Sequence, residues 1–277
     1  MNTVSGIGKL DRQRLAEIIR GTKGVISVGE ASEIVQLPAG TTAKLLSRWN
    51  KKGWLSRLRR GNYVTVPLES KTADVVLEEP FVVAEKLFSP CYIGGWSAAE
   101  YWDLTEQIFR SIIVITAQKP RTREQTIKGT TFLLKSVSQK KLFGLKSVWK
   151  GQVKVSLSDS SRTIVDLLDD PQLGGGIRSV ADMFLNYLKS DKRDLKLLID
   201  YAEKLGNGAV FKRLGLLLER YGPNESETIE ACRANLSKGT ARLDPAVEAK
   251  VLVTRWKLWI PENWRQKIDK GKINDRP

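Results

Sequence analysis

At 277 residues, with 41% hydrophobic and 28% charged side chains, the chain has room for one large or two ordinary globular domains with real cores. A net charge of +15 points to a polyanionic partner, most simply nucleic acid. The absence of any histidine excludes a Ser-His-Asp triad, an imidazole general base and imidazole-ligated metals.

Cys91 and Cys232 are far apart and form no CxxC pair. Neither a zinc site nor a disulfide framework is expected, and a reducing cytoplasm fits the composition. The first residues hold no apolar signal-peptide core, and no later run reaches the ~18 apolar residues of a membrane span, so neither secretion nor membrane spanning is expected.

Residues 10–20 predict a short amphipathic helix with Leu10, Leu15, Ile18 and Ile19 apolar. Gly21–Gly24 is the loop out of it, where Lys23 could meet a phosphate. Residues 24–67 read as two short helices, a turn and a β-hairpin, the layout of a winged helix-turn-helix. Ser27 is expected to cap the first of these helices, with Glu30 completing a capping box. Pro38 to Gly40 breaks it, and Thr41 or Thr42 caps a second helix to about Lys52. Its buried stripe is expected at Ala43, Leu46 and Trp49, and its open face at Thr41, Lys44, Ser47, Arg48 and Lys51. Gly53 sits where a left-handed C-cap belongs. Gly61-Asn62 signals the hairpin turn, with Trp54, Leu55, Leu58, Tyr63 and Val64 apolar along the strands. From Lys44 to Arg60 there are seven basic residues and no acidic one. A small polar and basic helix face followed by an Arg-tipped hairpin suits a major groove flanked by phosphates. A solvated basic face on an ordinary helical subdomain is the plain alternative.

Residues 68–80 are the expected linker, acidic and polar after the basic hairpin. A second core starts at residues 81–88. A strand at 91–93, a turn at Gly94-Gly95, a helix over 96–104 and a buried strand over 111–117 follow. Residues 119–154 hold ten basic residues and one acidic, Glu124. Strands are expected at 130–135 and 152–157, with a turn at 140–144. This segment reads either as a sheet with one lysine-solvated face or as a second surface for a polyanion or acidic partner. Residues 158–161 cap a helix ending at Pro171, and Gly174–Gly176 reads as a flexible joint. Helices are expected over 179–189, 194–205 and 209–221, then a loop over 222–239. Alternation over 251–261 suggests one strand, and the tail after Trp264 is expected to fray.

Enzymatic signals are sparse. Asp159, Asp166, Asp169, Asp170 and Asp182 form the densest acidic group of this part, with Asp166 and Asp170 on one helix face, a conceivable metal pair. Helix capping and surface placement account for them equally well. Glu248-Ala-Lys250 has the E-x-K spacing of metal-dependent nucleases, a tripeptide common by chance. Gly174–Gly176 lacks the Lys-Ser/Thr of a phosphate loop. The eight tryptophans fit packing, although stacking on unpaired bases would also use them.

Several blocks in one order carry a resemblance over nearly the full length: WLSRLRRGNYVTVP (54–67), YIGGWSAAEYWDLTEQ (92–107), SIIVIT (111–116), SSRTIVDLLDDPQLGGGI (160–177), FKRLGLLLERYG (211–222) and RLDPAVEAKVLVTRWKLWIP (242–261). The chain resembles the AbiEi antitoxins, transcriptional-regulator antitoxins of abortive-infection type IV toxin–antitoxin systems. The resemblance implies a cytoplasmic phage-defence protein whose winged domain represses its own operon at promoter inverted repeats. It also implies a C-terminal domain that counteracts a cognate nucleotidyltransferase-like toxin without a stable complex. Carried onto this sequence, the family's DNA contacts fall on Thr41, Thr42, Lys44, Arg48, Arg57, Arg59 and Arg60.

Together these readings give an α+β protein: a winged helix-turn-helix over residues 1–70, then a larger mixed α/β antitoxin domain over 71–277. The expected DNA-binding set is Thr41, Thr42, Lys44, Ser47, Arg48, Lys51, Lys52, Arg57, Arg59 and Arg60. No catalytic residue, metal or cofactor is expected, and the chain is not expected to be an enzyme. A ligand-sensing regulator without antitoxin role, and a metal-dependent nuclease with a winged targeting domain, are the competing readings.

Overall fold

The computed structural model describes residues 6–67, 77 and 79–269. Three helices and a small sheet build the N-terminal unit: α1 (Lys9–Gly21), β1 (Ile26–Ser27), α2 (Val28–Val35), α3 (Ala39–Lys51), β2 (Leu55–Arg59) and β3 (Asn62–Thr65). The strands lie in the order β1-β3-β2, all antiparallel. Leu15, Ile18, Ile26, Leu46, Trp49 and Leu55 close its core. Ser27 caps α2, accepting from the Glu30 amide at 3.3 Å while its hydroxyl donates to the Glu30 carboxylate at 2.8 Å. Gln36 ends α2 in the left-handed region at φ 51°.

Helix α3 begins earlier than expected. Pro38 is its N-cap, so Thr41 and Thr42 lie inside the first turn and cap nothing. That shift rotates the buried stripe to Thr42, Leu45, Leu46 and Trp49, leaving Ala43 half-buried. Gly53 does adopt a left-handed backbone, φ 80°. The hairpin turn is Arg60-Gly61, since Asn62 already pairs with Arg59 beyond a bulge at Leu58.

The expected linker at 68–80 falls largely outside the described residues. The larger part opens with α4 (Pro80–Phe88), β4 (Cys91–Ile93), α5 (Gly95–Tyr101), β5 (Ser111–Thr116), β6 (Glu124–Ile127), β7 (Thr130–Ser136), β8 (Leu145–Lys150) and β9 (Val153–Ser158). Six strands form one mixed sheet in the order β6-β7-β5-β4-β9-β8. Strand β5 runs parallel to β7, and β4 parallel to β9; the remaining neighbours are antiparallel. Helix α4 covers one face, with Val82, Val83 and Leu87 in the cluster that holds Val114, Phe132, Val155 and Leu157. Val25 and Val64 of the N-terminal unit join that cluster, which seats the winged unit on α4.

The other face, through Tyr92, Ile113 and Ile115, meets the helices α6 (Ser160–Asp169), α7 (Ile177–Lys189), α8 (Leu195–Leu205), α9 (Gly208–Tyr221) and α10 (Ser226–Ala234). Helix α10 occupies the stretch expected to be a loop. Gly174–Gly176 is no loose joint. It is a tight turn between a short 3-10 segment and α7, where a Cβ on Gly174 would lie 2.5 Å from Val180 and 2.8 Å from Leu167. The C-terminal alternation is split into two strands by a left-handed Lys257, φ 51°. These are β11 (Val251–Val253) and β12 (Leu258–Ile260), which form a small sheet with β10 (Ala241–Arg242) in the order β10-β12-β11. The segment expected to fray begins within a further helix, α11 (Glu262–Asp269). The fold is α+β, a winged helical unit followed by a larger α/β part.

Candidate nucleic-acid interface

The outward face of α3 follows from its 3.6-residue period. Thr41, Lys44, Arg48 and Lys51 recur at three- and four-residue steps and are exposed, with Ser47 half-buried beside them. Lys52 ends the helix half-buried, and Arg57 and Arg60 project from the wing into solvent. Asn50 fastens the C-terminal turn of α3 to the wing, its carboxamide donating to the Leu55 carbonyl at 2.9 Å. The end of α3 and the base of the wing are thus held at a fixed spacing.

Thr42 departs from the expectation. It is fully buried, and its hydroxyl donates to the Leu37 carbonyl at 3.4 Å, so it faces the core of the unit and not a groove. Arg59 departs too. Its guanidinium donates to the Leu87 carbonyl of α4 at 2.7 Å, and partial burial pulls its pKa below the usual arginine value. Arg48 points outward but is held by Asp11 of α1: Nη2 reaches both carboxylate oxygens, at 3.0 and 2.9 Å. Glu30, beside the wing turn, pairs with Lys86 of α4. Burial alone would raise its carboxyl pKa, but the hydrogen bonds from Lys86 and Ser27 outweigh that and hold it below the usual value. Lys23 lines a crevice of about 370 Å³ between the winged unit and α4.

Residues 13–66, which span this whole arrangement, match the family described as "Transcriptional regulator, AbiEi antitoxin". The likeness to that family covers these residues, the three helices and the wing of the N-terminal unit. The crystal structure of the RV2827C protein from Mycobacterium tuberculosis resembles the full architecture, with a TM-score of 0.63, 13% identity and 94% of each chain covered. At that identity the likeness is one of fold. No curated protein sequence matches the chain.

Beyond the matched segment, Asp159, Asp166, Asp169 and Asp170 are engaged by neighbouring side chains and backbone. Asp159 caps α6, accepting from the Arg162 amide at 2.8 Å, and takes the Tyr201 hydroxyl at 2.9 Å. Asp166 is buried against the Arg162 guanidinium at 2.9 Å and the Tyr92 hydroxyl at 3.0 Å. Asp169 binds Lys135 and Asn207, each at 2.7 Å. Asp170 has left the helix, caps the following 3-10 turn and reaches Lys135 at 3.3 Å. It therefore shares no helix face with Asp166. Asp182 is exposed on α7. Among the described residues no group of three or more Cys, Asp or Glu is placed to hold a metal ion. Glu248 and Lys250 lie exposed and 3.6 Å apart ahead of β11. Both cysteines are free and buried, which pushes each thiol pKa up to about 12.

The basic stretch 119–154 divides in two. Lys146 lies over the Trp102 ring, Lys150 over Phe81 and Tyr101, and Lys154 over the exposed Trp149, at 5.1–5.5 Å from the ring centres. These contacts blunt the open edge of β8 with charge. Of the remaining cations, Lys119, Arg123 and Lys135 line one cavity beside β5 and β7. No helix among the described residues is long and apolar enough to cross a membrane.

Proposed function

We propose that this chain is a DNA-binding antitoxin that represses its own operon. In this reading residues 1–70 bind inverted repeats in the promoter, and residues 71–277 counteract a cognate nucleotidyltransferase-like toxin without a stable complex. The observation that carries the DNA-binding half is the outward row of Thr41, Lys44, Ser47, Arg48 and Lys51 on α3 beside Arg57 and Arg60 of the wing. A major groove about 12 Å wide admits one helix, and such a row faces its floor and edges. Thr41, Lys44, Ser47 and Arg48 read base edges; Lys51, Lys52, Arg57 and Arg60 neutralise phosphates. Two winged units on a repeat would double the contact. The antitoxin half is supported by the AbiEi match of the N-terminal segment.

Two measurements test the reading. Fluorescence anisotropy with the DNA upstream of the gene and with scrambled DNA should show salt-sensitive binding that favours the upstream sequence. Equal affinity for both would remove the repressor role. Growth of cells carrying the adjacent toxin gene, with and without this chain, tests the antitoxin role. Persistent toxicity in its presence would leave only a regulator.

A further inference from the structure

We propose that the cavity at the carboxyl ends of β5 and β7 binds a small aromatic carboxylate. This site is separate from the α3–wing surface and independent of the antitoxin reading. The cavity encloses about 520 Å³, within the range that buries a drug-sized ligand. Ile113, Leu133, Leu173 and Pro120 give it an apolar lining, and Lys119 and Arg123 stand at its exposed side. Neither of these two cations enters an ion pair with any described residue. Lys135, also in the lining, is different: its ammonium is shared by Asp169 at 2.7 Å and Asp170 at 3.3 Å, so its charge is already answered. Asp170 also lines the cavity, and with Asp169 it sets two carboxylates against Lys135, so Lys119 and Arg123 leave the site one positive charge in excess beside an apolar floor.

That combination selects both halves of a ligand. The floor favours a flat apolar body, because removing it from water contributes roughly 25 cal/mol for each Å² buried. Two adjacent cations favour an acid over its neutral analogue, and arginine offers a carboxylate a two-pronged partner. A nucleic-acid strand fits poorly, since its backbone requires a track of cations and this half-open cavity offers two at one side. The topology agrees. Strands β5 and β7 are adjacent and parallel, and ligands of open α/β sheets settle in the crevice beyond the carboxyl ends of such strands.

The test uses the full chain titrated calorimetrically with 2-naphthoate and, in parallel, with the neutral 2-naphthamide. The expected result is saturable binding of one equivalent of naphthoate, with naphthamide about tenfold weaker, a difference of ~1.4 kcal/mol. Lys119→Gln/Arg123→Gln should weaken naphthoate by a similar factor, bring it level with the amide and leave the unfolding midpoint unchanged. Leu133→Gln, which keeps both cations, should weaken acid and amide alike. No saturable binding of naphthoate, equal affinity for acid and amide in the wild type, or a double variant that binds as well as wild type would each overturn the proposal. So would loss of self-association in the double variant, which would make this face an interface between copies of the chain.

Discussion

The guanidinium of Arg59 and the carboxamide of Gln118 meet at one acceptor, the carbonyl of Leu87, at 2.7 and 3.4 Å. Gln118 also donates to the Ser89 carbonyl at 2.6 Å. A wing residue and a residue beyond β5 therefore converge on the C-terminal turn of α4. The winged unit is fastened to the larger part by an arginine that its sequence would assign to DNA.

The first prediction follows from that contact. Arg59→Ala should lower unfolding stability by about 1 kcal/mol, the usual net value of one such hydrogen bond, and change the salt dependence of DNA binding little. Arg60→Ala should do the reverse, leaving stability intact and reducing the slope of log K against log salt by about one. Urea unfolding and anisotropy at several salt concentrations separate the two. Equal flattening of the slope by both variants would mean that Arg59 leaves Leu87 when DNA arrives.

In the proposed interface, Asp11 would compete with DNA for Arg48. The arginine is 55% exposed and its acid 18%, so the pair is an open one and its strength modest. Asp11→Asn should free the guanidinium and remove a negative charge next to the groove. DNA affinity should then rise about two- to fivefold, from up to ~1 kcal/mol no longer lost in breaking the pair. In an Arg48→Ala background the same substitution should have a smaller effect, and anisotropy on the four proteins of that cycle measures the coupling.

What the sequence disclosed, and what it withheld, divides by range. Capping signals act over a few residues, so Ser27 with Glu30 and Asp159 with Arg162 were legible. Helices α7 to α9 were legible from their apolar period. Strand β6, Glu-Gln-Thr-Ile, has one apolar residue and forms because β7 pairs with it. Strand β8 carries lysines beside its buried valine, so its alternation is masked until rings are found beneath Lys146 and Lys150. In the candidate site the exposed row on α3 was readable from periodicity. Thr42 was misplaced because Pro38 starts the helix a turn early. The partners of Arg48 and Arg59 lie 37 and 28 residues away, beyond any local pattern.

Gly215 in α9 offers a test of packing. A Cβ there would lie 2.1 Å from the ring of the fully buried Trp256, closer than any side chain can sit. Gly215→Ala should therefore destabilise by about 1–3 kcal/mol in spite of alanine's better helix propensity. Trp256→Phe leaves space over the same helix turn, so the double variant should lose less than the two single losses added together. Urea unfolding of the four proteins decides it, and strict additivity would mean that the indole does not press on Gly215.

The buried pair of Arg162 and Asp166 predicts a dependence on pH. Both side chains are almost wholly enclosed, and Arg162 also lies over the Phe143 ring at 4.0 Å. Burial raises the Asp166 pKa to about 6, against the opposing pull of Arg162 and the Tyr92 hydroxyl. An unfolded aspartate titrates near ~3.9, so between these values the folded state holds the extra proton. The contribution of this group to stability is therefore fully present below the unfolded value and is lost as pH rises through about 6. Arg162→Met removes the cation that makes an ionised Asp166 tolerable. The cost should be about 3–5 kcal/mol at pH 7.5, the usual loss when one partner of a buried pair is deleted. At pH 5 the carboxyl is largely protonated in the wild type, and the cost should be smaller. Urea unfolding of both proteins at the two pH values reads the difference. Equal losses would show that Asp166 keeps the same charge at both, and that Arg162 acts there through packing and the Tyr92 contact alone.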